Sequence, residues 1–313
     1  MKISIIGPGH TAIPPVGWGA VETLIWDMRN ALIELGHQVQ IINTTDPNKI
    51  IAEINSYRPD FVHIHYDDWV VLYPYIQYPC ACTSHFGYLE RPQMFNGYAN
   101  VANEFAKIKP RVFCLSEGIK KVYSVLMNIP KERLFISPNG VNCGSFKCVD
   151  TPDYPNASIY LAKIDYRKRQ HLFQSITSLW YAGNIADERF DKTKNYLGEW
   201  SKKYLYENLT HYGNLVLLSD GEAHPLVCME AFAAGLGVVV TEWGKANLDV
   251  DKKFITVISE KHINDIEFLE YEIIKNREYS INHRAEILEY AQKFDWINVI
   301  KDIYVPTIEG IIK

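Results

Sequence analysis

No stretch of this 313-residue chain approaches the run of about 18 apolar residues that a membrane-spanning helix requires, which excludes a spanning anchor. Positive charge is also scarce. Lysine and arginine total 32 against 37 acidic residues, a net charge of −5, whereas a nucleic-acid binder needs a basic surface to meet phosphates. Any membrane contact therefore has to be local and peripheral. The six cysteines, Cys80, Cys82, Cys114, Cys143, Cys148 and Cys228, include no C-x-x-C spacing, so neither a zinc site nor a disulfide framework is expected. Buried free thiols in a reducing cytoplasm account for them, and the sequons at Asn43, Asn156 and Asn208 then go unused. Internal repeats and low-complexity tracts are absent. The opening MKISIIG is too short an apolar run for a signal peptide and reads as a strand.

What the chain does contain is an alternation of short apolar strands with amphipathic helices, the pattern of a doubly wound parallel α/β sheet. Strands are expected at 3–7, 38–43, 60–66, 81–84, 112–116 and 133–138, with a helix after about Ala20 on the apolar face Val21, Leu24, Ile25, Met28, Leu32 and Leu35, stopped by Gly36. CVDTPDYPN (148–156) reads as a linker, and a second series follows at 158–164, 178–183, 195–198, 214–219, 237–241 and 254–259. The expectation is two Rossmann-like domains, 1–150 and 151–289, facing a cleft in which a ligand sits. A final helical stretch runs from about Ile281 and must be kinked or interrupted at Pro306.

The segment SDGEAHPLVCMEAFAAGLGVVV (219–240) is the most informative. Pro225 suits the first position of a helix running to Gly235, which places the amides of Leu226 and Val227 in its first turn. Those amides lack intrahelical partners and sit at the positive end of the dipole, a ready anion site. Glu230 lies further along the helix, within reach of ribose hydroxyls when the first turn holds a pyrophosphate. Glu222 precedes the helix on a loop at the carboxyl end of an apolar strand, where open α/β sheets bind ligands.

This segment resembles the E-x7-E signature of retaining nucleotide-sugar glycosyltransferases with the two-domain GT-B fold, and the resemblance extends through AFAAG and GVVVTE. GPGHTAIPPVGWGAVE (7–22), with Gly17 and Gly19 before a helix carrying Glu22, is similar to that family's glycine-rich first loop. YLAKIDYRKRQHLF (160–173) looks like its strand-loop-helix with a basic residue at the strand end, here Lys163 in place of the commoner arginine. Lys168 follows five residues later, and Arg169 beside it is able to substitute. His85 in CTSHFGYLERP resembles the histidine directed at the donor sugar. PNGVNCGSF (138–146) matches the crossover to the second domain, and FDWINV (294–299) the helix, about 290–313, that crosses back to complete the first.

Other patterns weigh less. GPGHTA (7–12) fits the dinucleotide fingerprint, but Pro14 and Pro15 break the helix that must open there, and the next strand ends in Asn43 and Thr44 with no acid for an adenine ribose. Asp249-Val250-Asp251 fits a metal-binding Asp-x-Asp, yet it lies in a polar stretch beside Lys252 and Lys253 and reads as an exposed turn.

The resemblance implies a metal-independent, cytoplasmic enzyme, needing no cofactor, that moves a sugar from a UDP- or GDP-sugar to a carbohydrate or glycoconjugate hydroxyl, with retention by same-face attack or by a covalent intermediate. In that reading Leu226, Val227, Lys163, Lys168 and Arg169 hold the diphosphate, Gly17 and Gly19 approach the donor, and Glu230 binds ribose. Glu222 and His85 act on the sugar. A nucleotide-sugar epimerase of the same fold, or a catalytically silent binder, is the alternative.

Overall fold

The computed structural model describes residues 1–17 and 19–313. They form two compact units, one of Met1–Gly140 with Asp295–Lys313 and one of Val141–Phe294.

In the first unit six strands, β1 (Lys2–Ile6), β2 (Gln38–Ile42), β3 (Phe61–Ile64), β4 (Cys80–Cys82), β5 (Val112–Cys114) and β6 (Leu134–Ile136), form one sheet in the order β2-β1-β3-β4-β5-β6, every pairing parallel. Helices α1 (Ala20–Glu34), α2 (Pro47–Tyr57), α3 (Ala99–Ile108) and α4 (Glu117–Val125) connect them. The strands are nearly continuous apolar runs, as expected of a sheet covered on both faces, with Ile3, Ile5, Ile6, Phe61, Val62 and Ile64 fully buried.

Several strands stop short of the expected bounds because the polar residue at the end has other work. Ser116 caps α4, its hydroxyl accepting from the Ile119 N–H at 3.1 Å. Asn43 accepts from the Gly9 N–H at 2.7 Å and donates to the Thr11 carbonyl at 2.8 Å. Gly9 sits at φ +88°, and a Cβ there would lie 2.5 Å from the Thr44 backbone. The glycines of the fingerprint-like GPGHTA thus let the loop after β1 close onto the end of β2.

The C-terminal segment belongs to this unit as α9 (Trp296–Val299), a widened π turn (Ile300–Tyr304) and α10 (Val305–Ile312), with Pro306 in the first turn of α10. The widened turn just before Pro306 absorbs the interruption that the proline imposes. Trp296 packs on Gly140, where a Cβ would stand 2.5 Å from the indole.

The second unit holds β7 (Tyr154–Leu161), β8 (Leu179–Ala182), β9 (Tyr212–Leu217), β10 (Gly237–Thr241) and β11 (Ile255–Ile258) in the order β11-β10-β9-β7-β8, again all parallel. Its helices are α5 (Lys202–Asn208), α6 (Leu226–Ala233), α7 (Ile266–Asn282) and α8 (Arg284–Ala291). The helical stretch expected from Ile281 therefore follows a longer helix that begins at Ile266.

Residues 195–198 are not a strand but make one bridge, Tyr181 to Tyr196, because Asn195 (φ 51°) and Gly198 (φ 81°) both adopt left-handed turn geometry. The end of the proline-containing segment 148–156 is not a linker but the start of β7, Tyr154 pairing with Tyr212. Upstream, Val149 is fastened within this unit, its N–H donating to Thr210 Oγ1 at 3.0 Å and its carbonyl accepting from Arg284 at 2.9 Å. A buried amide network bolts α7 beneath the sheet: Asn276 Nδ2 donates to the Val238 carbonyl at 3.1 Å and Asn276 Oδ1 accepts from Asn214 at 2.9 Å. Satisfied buried polar groups of this kind fix one packing of helix on sheet.

Candidate functional site

In each sheet the strand order reverses once, between β1 and β3 in the first unit and between β7 and β9 in the second. Open α/β sheets bind ligands at the carboxyl ends of the strands flanking such a point. The candidate residues gather at both places.

In the second unit the loop after β7 carries Lys163, Arg167 and Lys168, and the loop after β9 carries Glu222. The Lys168 ammonium pairs with Glu222 Oε1, and the Arg167 guanidinium lies 3.1 Å from Glu222 Oε2. Both Lys168 and Glu222 are nearly buried, their side chains 10% and 8% exposed. Burial alone would raise the Glu222 carboxyl, but Lys168 and then Arg167 outweigh it and hold it at about 2. Burial lowers the Lys168 ammonium, because the pull of Glu222 returns only part of the loss and Arg167 repels it. The lysine is kept in place from its backbone, where its N–H donates to Asp165 Oδ1 at 3.0 Å and its carbonyl accepts from the Tyr160 hydroxyl.

Arg169 faces elsewhere. Its backbone is left-handed (φ 58°), and its guanidinium makes a fork to Glu260 at 2.9 and 3.0 Å while donating to the Leu218 and Ser219 carbonyls. It braces the end of β9, and Arg167, a residue the sequence pattern passed over, is the second cation on Glu222 instead. Lys163 is exposed, and its ammonium has no partner among the described residues.

Helix α6 begins one residue later than expected, with Pro225 as its N-cap (φ −71°, ψ 108°) and no side-chain cap. Proline has no side-chain donor or acceptor, so nothing at the N-cap occupies the first-turn amides. Leu226 and Val227 are half-buried, and their N–H groups have no partner among the described residues. Glu230 lies on the same helix, 8% exposed, with its carboxylate paired to Lys202. Lys202 is the first residue of α5, where the helix dipole disfavours a cation. That misplaced charge is the one signal by which sequence could have found it.

In the first unit the loops after β3 and β4 bring His65, Asp67, Ser84 and His85 together. His85 is partly exposed; its Nε2 lies 3.2 Å from His65 Nδ1, and burial holds its imidazole down to about 4. Asp67 is half-buried, its Oδ1 shut off from solvent, and no cation stands beside it among the described residues. It accepts from the Ser84 hydroxyl at 2.7 Å, and burial lifts its carboxyl to about 7 against the hydrogen bonds from Ser84 and Tyr98. Gly17 is exposed in the loop after β1, and Gly19 is the N-cap residue of α1, its carbonyl accepting from the Thr23 N–H at 2.9 Å. A Cβ on Gly19 would meet the Glu22 carboxylate at 2.9 Å.

Asp67 yields a stability prediction. A carboxyl whose folded value is raised favours the folded state fully below its ordinary value of 3.8, and that contribution is lost as pH rises through about 7. Asp67→Asn should therefore raise the urea midpoint relative to wild type at pH 8, by about 2 to 4 kcal/mol in unfolding free energy, and leave it little changed at pH 4. Equal effects at both pH values would show that the carboxyl is not ionising inside the fold.

Asp249 and Asp251 are exposed, and Asp249 Oδ1 accepts from the Asp251 N–H at 3.3 Å in a local turn. Among the described residues no cluster of three or more histidine, cysteine or acidic side chains is placed to hold a metal ion, and no helix is long and apolar enough to cross a membrane. All six cysteines are free thiols; Cys148 is exposed and Cys143 partly so, while the other four are buried.

No protein-family model matches the sequence, and no curated protein matches it either. Solved structures do match its fold. HepE from Anabaena in complex with UDP-glucose aligns with a TM-score of 0.75 at 13% identity, covering 99% of this chain and 100% of that one. Sucrose-phosphate synthase from Thermosynechococcus elongatus gives a TM-score of 0.77 at 15% identity over 99% of both chains. The lipopolysaccharide outer core galactosyltransferase WaaB gives 0.68 at 14%, again over 99% of both. The chain thus has the GT-B fold, with two parallel-sheet α/β units.

Proposed function

We propose that this protein is a retaining glycosyltransferase that moves a hexosyl group from a nucleoside-diphosphate sugar to an acceptor hydroxyl on a carbohydrate or glycoconjugate. The observation that carries the proposal is the convergence, at the switch point of the second sheet, of Lys168, Arg167 and Glu222 with the uncapped start of α6. Cleavage of the sugar bond builds negative charge on the departing diphosphate. Fixed donors aimed at that charge stabilise it without reorganising.

In this assignment the Leu226 and Val227 amides with Lys168 and Arg167 hold the diphosphate, and Lys163 adds an exposed point charge. Side-chain cations and backbone N–H dipoles thereby perform the task that a divalent ion performs elsewhere, and the reaction is metal-independent. Glu230, oriented by Lys202, accepts from the ribose hydroxyls. Glu222 acts at the sugar, and His85 on the first unit donates to a substrate hydroxyl. Uridine is the first base to test, because the similar HepE structure contains UDP-glucose.

A thermal-shift panel of UDP-, GDP- and ADP-sugars tests the reading. A donor at 100 times its Kd adds about 2.7 kcal/mol to the stability of the native state and should raise Tm by several degrees. The corresponding 2′-deoxy nucleotide should give a smaller rise, since Glu230 then loses a hydroxyl. If no nucleotide sugar shifts Tm, the proposal is wrong.

A further inference from the structure

Three imidazoles lie in contact at the carboxyl edge of the first sheet. The hydrogen bonds around the innermost fix its protons. His63 Nε2 is 2.8 Å from Thr83 Oγ1, and that hydroxyl donates to the Phe113 carbonyl at 3.3 Å, so Nε2 carries the proton. His63 Nδ1 then accepts from the Tyr304 hydroxyl at 2.9 Å. Tyr304 comes from the widened turn of the C-terminal segment, which thereby reaches this cluster.

His65 rests against that fixed ring, centroids 3.8 Å apart, and its Nδ1 lies 3.2 Å from His85 Nε2. Its other nitrogen, Nε2, is buried and has no hydrogen-bond partner among the described residues. A buried N–H with no acceptor is rarer in folded proteins than a bare acceptor atom, so the His65 proton belongs on Nδ1, pointing at His85. His85 Nε2 accepts it. The proton of a neutral His85 then resides on Nδ1, for which no partner exists among the described residues, on a ring that is partly exposed. Which ring nitrogen of a histidine is protonated is set by the hydrogen bond that the other one makes.

We propose that His65 is a positioning residue that holds His85 in its Nδ1–H tautomer, so that an N–H donor and not a lone pair meets the substrate. The inference rests on the assignment of His85 to a substrate hydroxyl in the transferase reading. Sugar oxygens in a glycosyl donor carry lone pairs throughout the reaction, and a donor N–H of fixed direction binds them without having to switch tautomer first. The packing of His65 on His63, and of His63 on Tyr304, fixes the plane of the chain.

Two-bond proton–nitrogen correlation spectra of protein labelled with 15N-histidine report the tautomer directly and need no turnover. His85 signals are assigned by their loss in His85→Gln. The expected result is an Nδ1–H His85 in the wild type. His65→Asn, whose carboxamide N–H lies near the position of the imidazole Nδ1–H, should keep that tautomer. His65→Phe should shift His85 towards Nε2–H and lower kcat about 10- to 100-fold, leaving the donor KM little changed. An Nε2–H His85 in the wild type, or an unchanged tautomer in His65→Phe, overturns the proposal. The wild-type spectrum decides even where His65→Phe does not fold. If the tautomers behave as expected but no nucleotide sugar is bound or turned over, the positioning role stands and the transferase reading falls.

Discussion

Glu222→Gln should lower the rate of sugar transfer by about 10²- to 10³-fold, the usual cost of deleting one preorganised charge at a reacting centre. The same substitution should weaken the fold. Glu222 drops from an ordinary 4.5 to about 2, which corresponds to about 3 kcal/mol of stability. Because its folded value is depressed, that contribution is present above 4.5 and is lost as pH falls through about 2. The unfolding curves of wild type and variant should therefore differ at neutral pH and converge in strong acid. Beneath the number lies a simple cause: without Glu222, the nearly buried Lys168 keeps its charge and has lost its counter-ion. Adding Lys168→Met to Glu222→Gln removes the stranded charge, and should recover much of the stability while recovering none of the activity. Arg167, with a side chain 30% exposed, can turn to water and leaves no comparable penalty. Transfer by Glu222→Gln within about threefold of wild type would remove this carboxylate from the reaction, whatever it does for the fold.

How much of this was legible in the sequence depends on whether a feature is local. The strands and the α6 region follow from apolar runs, glycine stops and a proline near a helix start, all of which act over a few residues. The parallel sheets were legible for the same reason, since strands buried on both faces have to be continuously apolar. Pairings across distant loops were not legible. The cation at the start of α5 hints that Lys202 has a partner, but nothing near it in the chain says which acid, and only the folded chain brings Glu230 to it. The RKR run was visible, but which of its residues faces Glu222 depends on the left-handed turn at Arg169, whose partner Glu260 is remote in sequence. Residues 195–198 show the reverse error: their apolar character suggested a strand, and Asn195 and Gly198 had the turn chemistry to end it. His65 stayed hidden because HIH reads as ordinary strand alternation until β4 sets His85 beside it.

The backbone amide at the start of α6 can be removed without touching its side-chain neighbours, and Leu226→Pro should weaken donor binding more than any other change on that helix. Proline at the first helical position keeps the helical φ and lacks only an N–H that no helix bond uses. Pro225 before it already has the extended backbone (φ −71°, ψ 108°) that a residue preceding proline prefers, so the substitution imposes no new strain. Leu226→Ala is the matched control, since it discards the leucine side chain and retains the amide. A hydrogen bond to a charged group is worth about 1.5 to 3 kcal/mol, so the proline variant should bind UDP about 10- to 100-fold more weakly than the alanine variant. In the absence of nucleotide the two should melt at similar temperatures, because neither alters a bond within the fold. Isothermal titration with UDP and with uridine separates the remaining possibilities: the proline penalty should appear with the diphosphate and vanish with the nucleoside. A penalty of equal size for both ligands would mean that the amide reads the nucleoside, and the anion would have to be sought among Lys163, Arg167 and Lys168 alone.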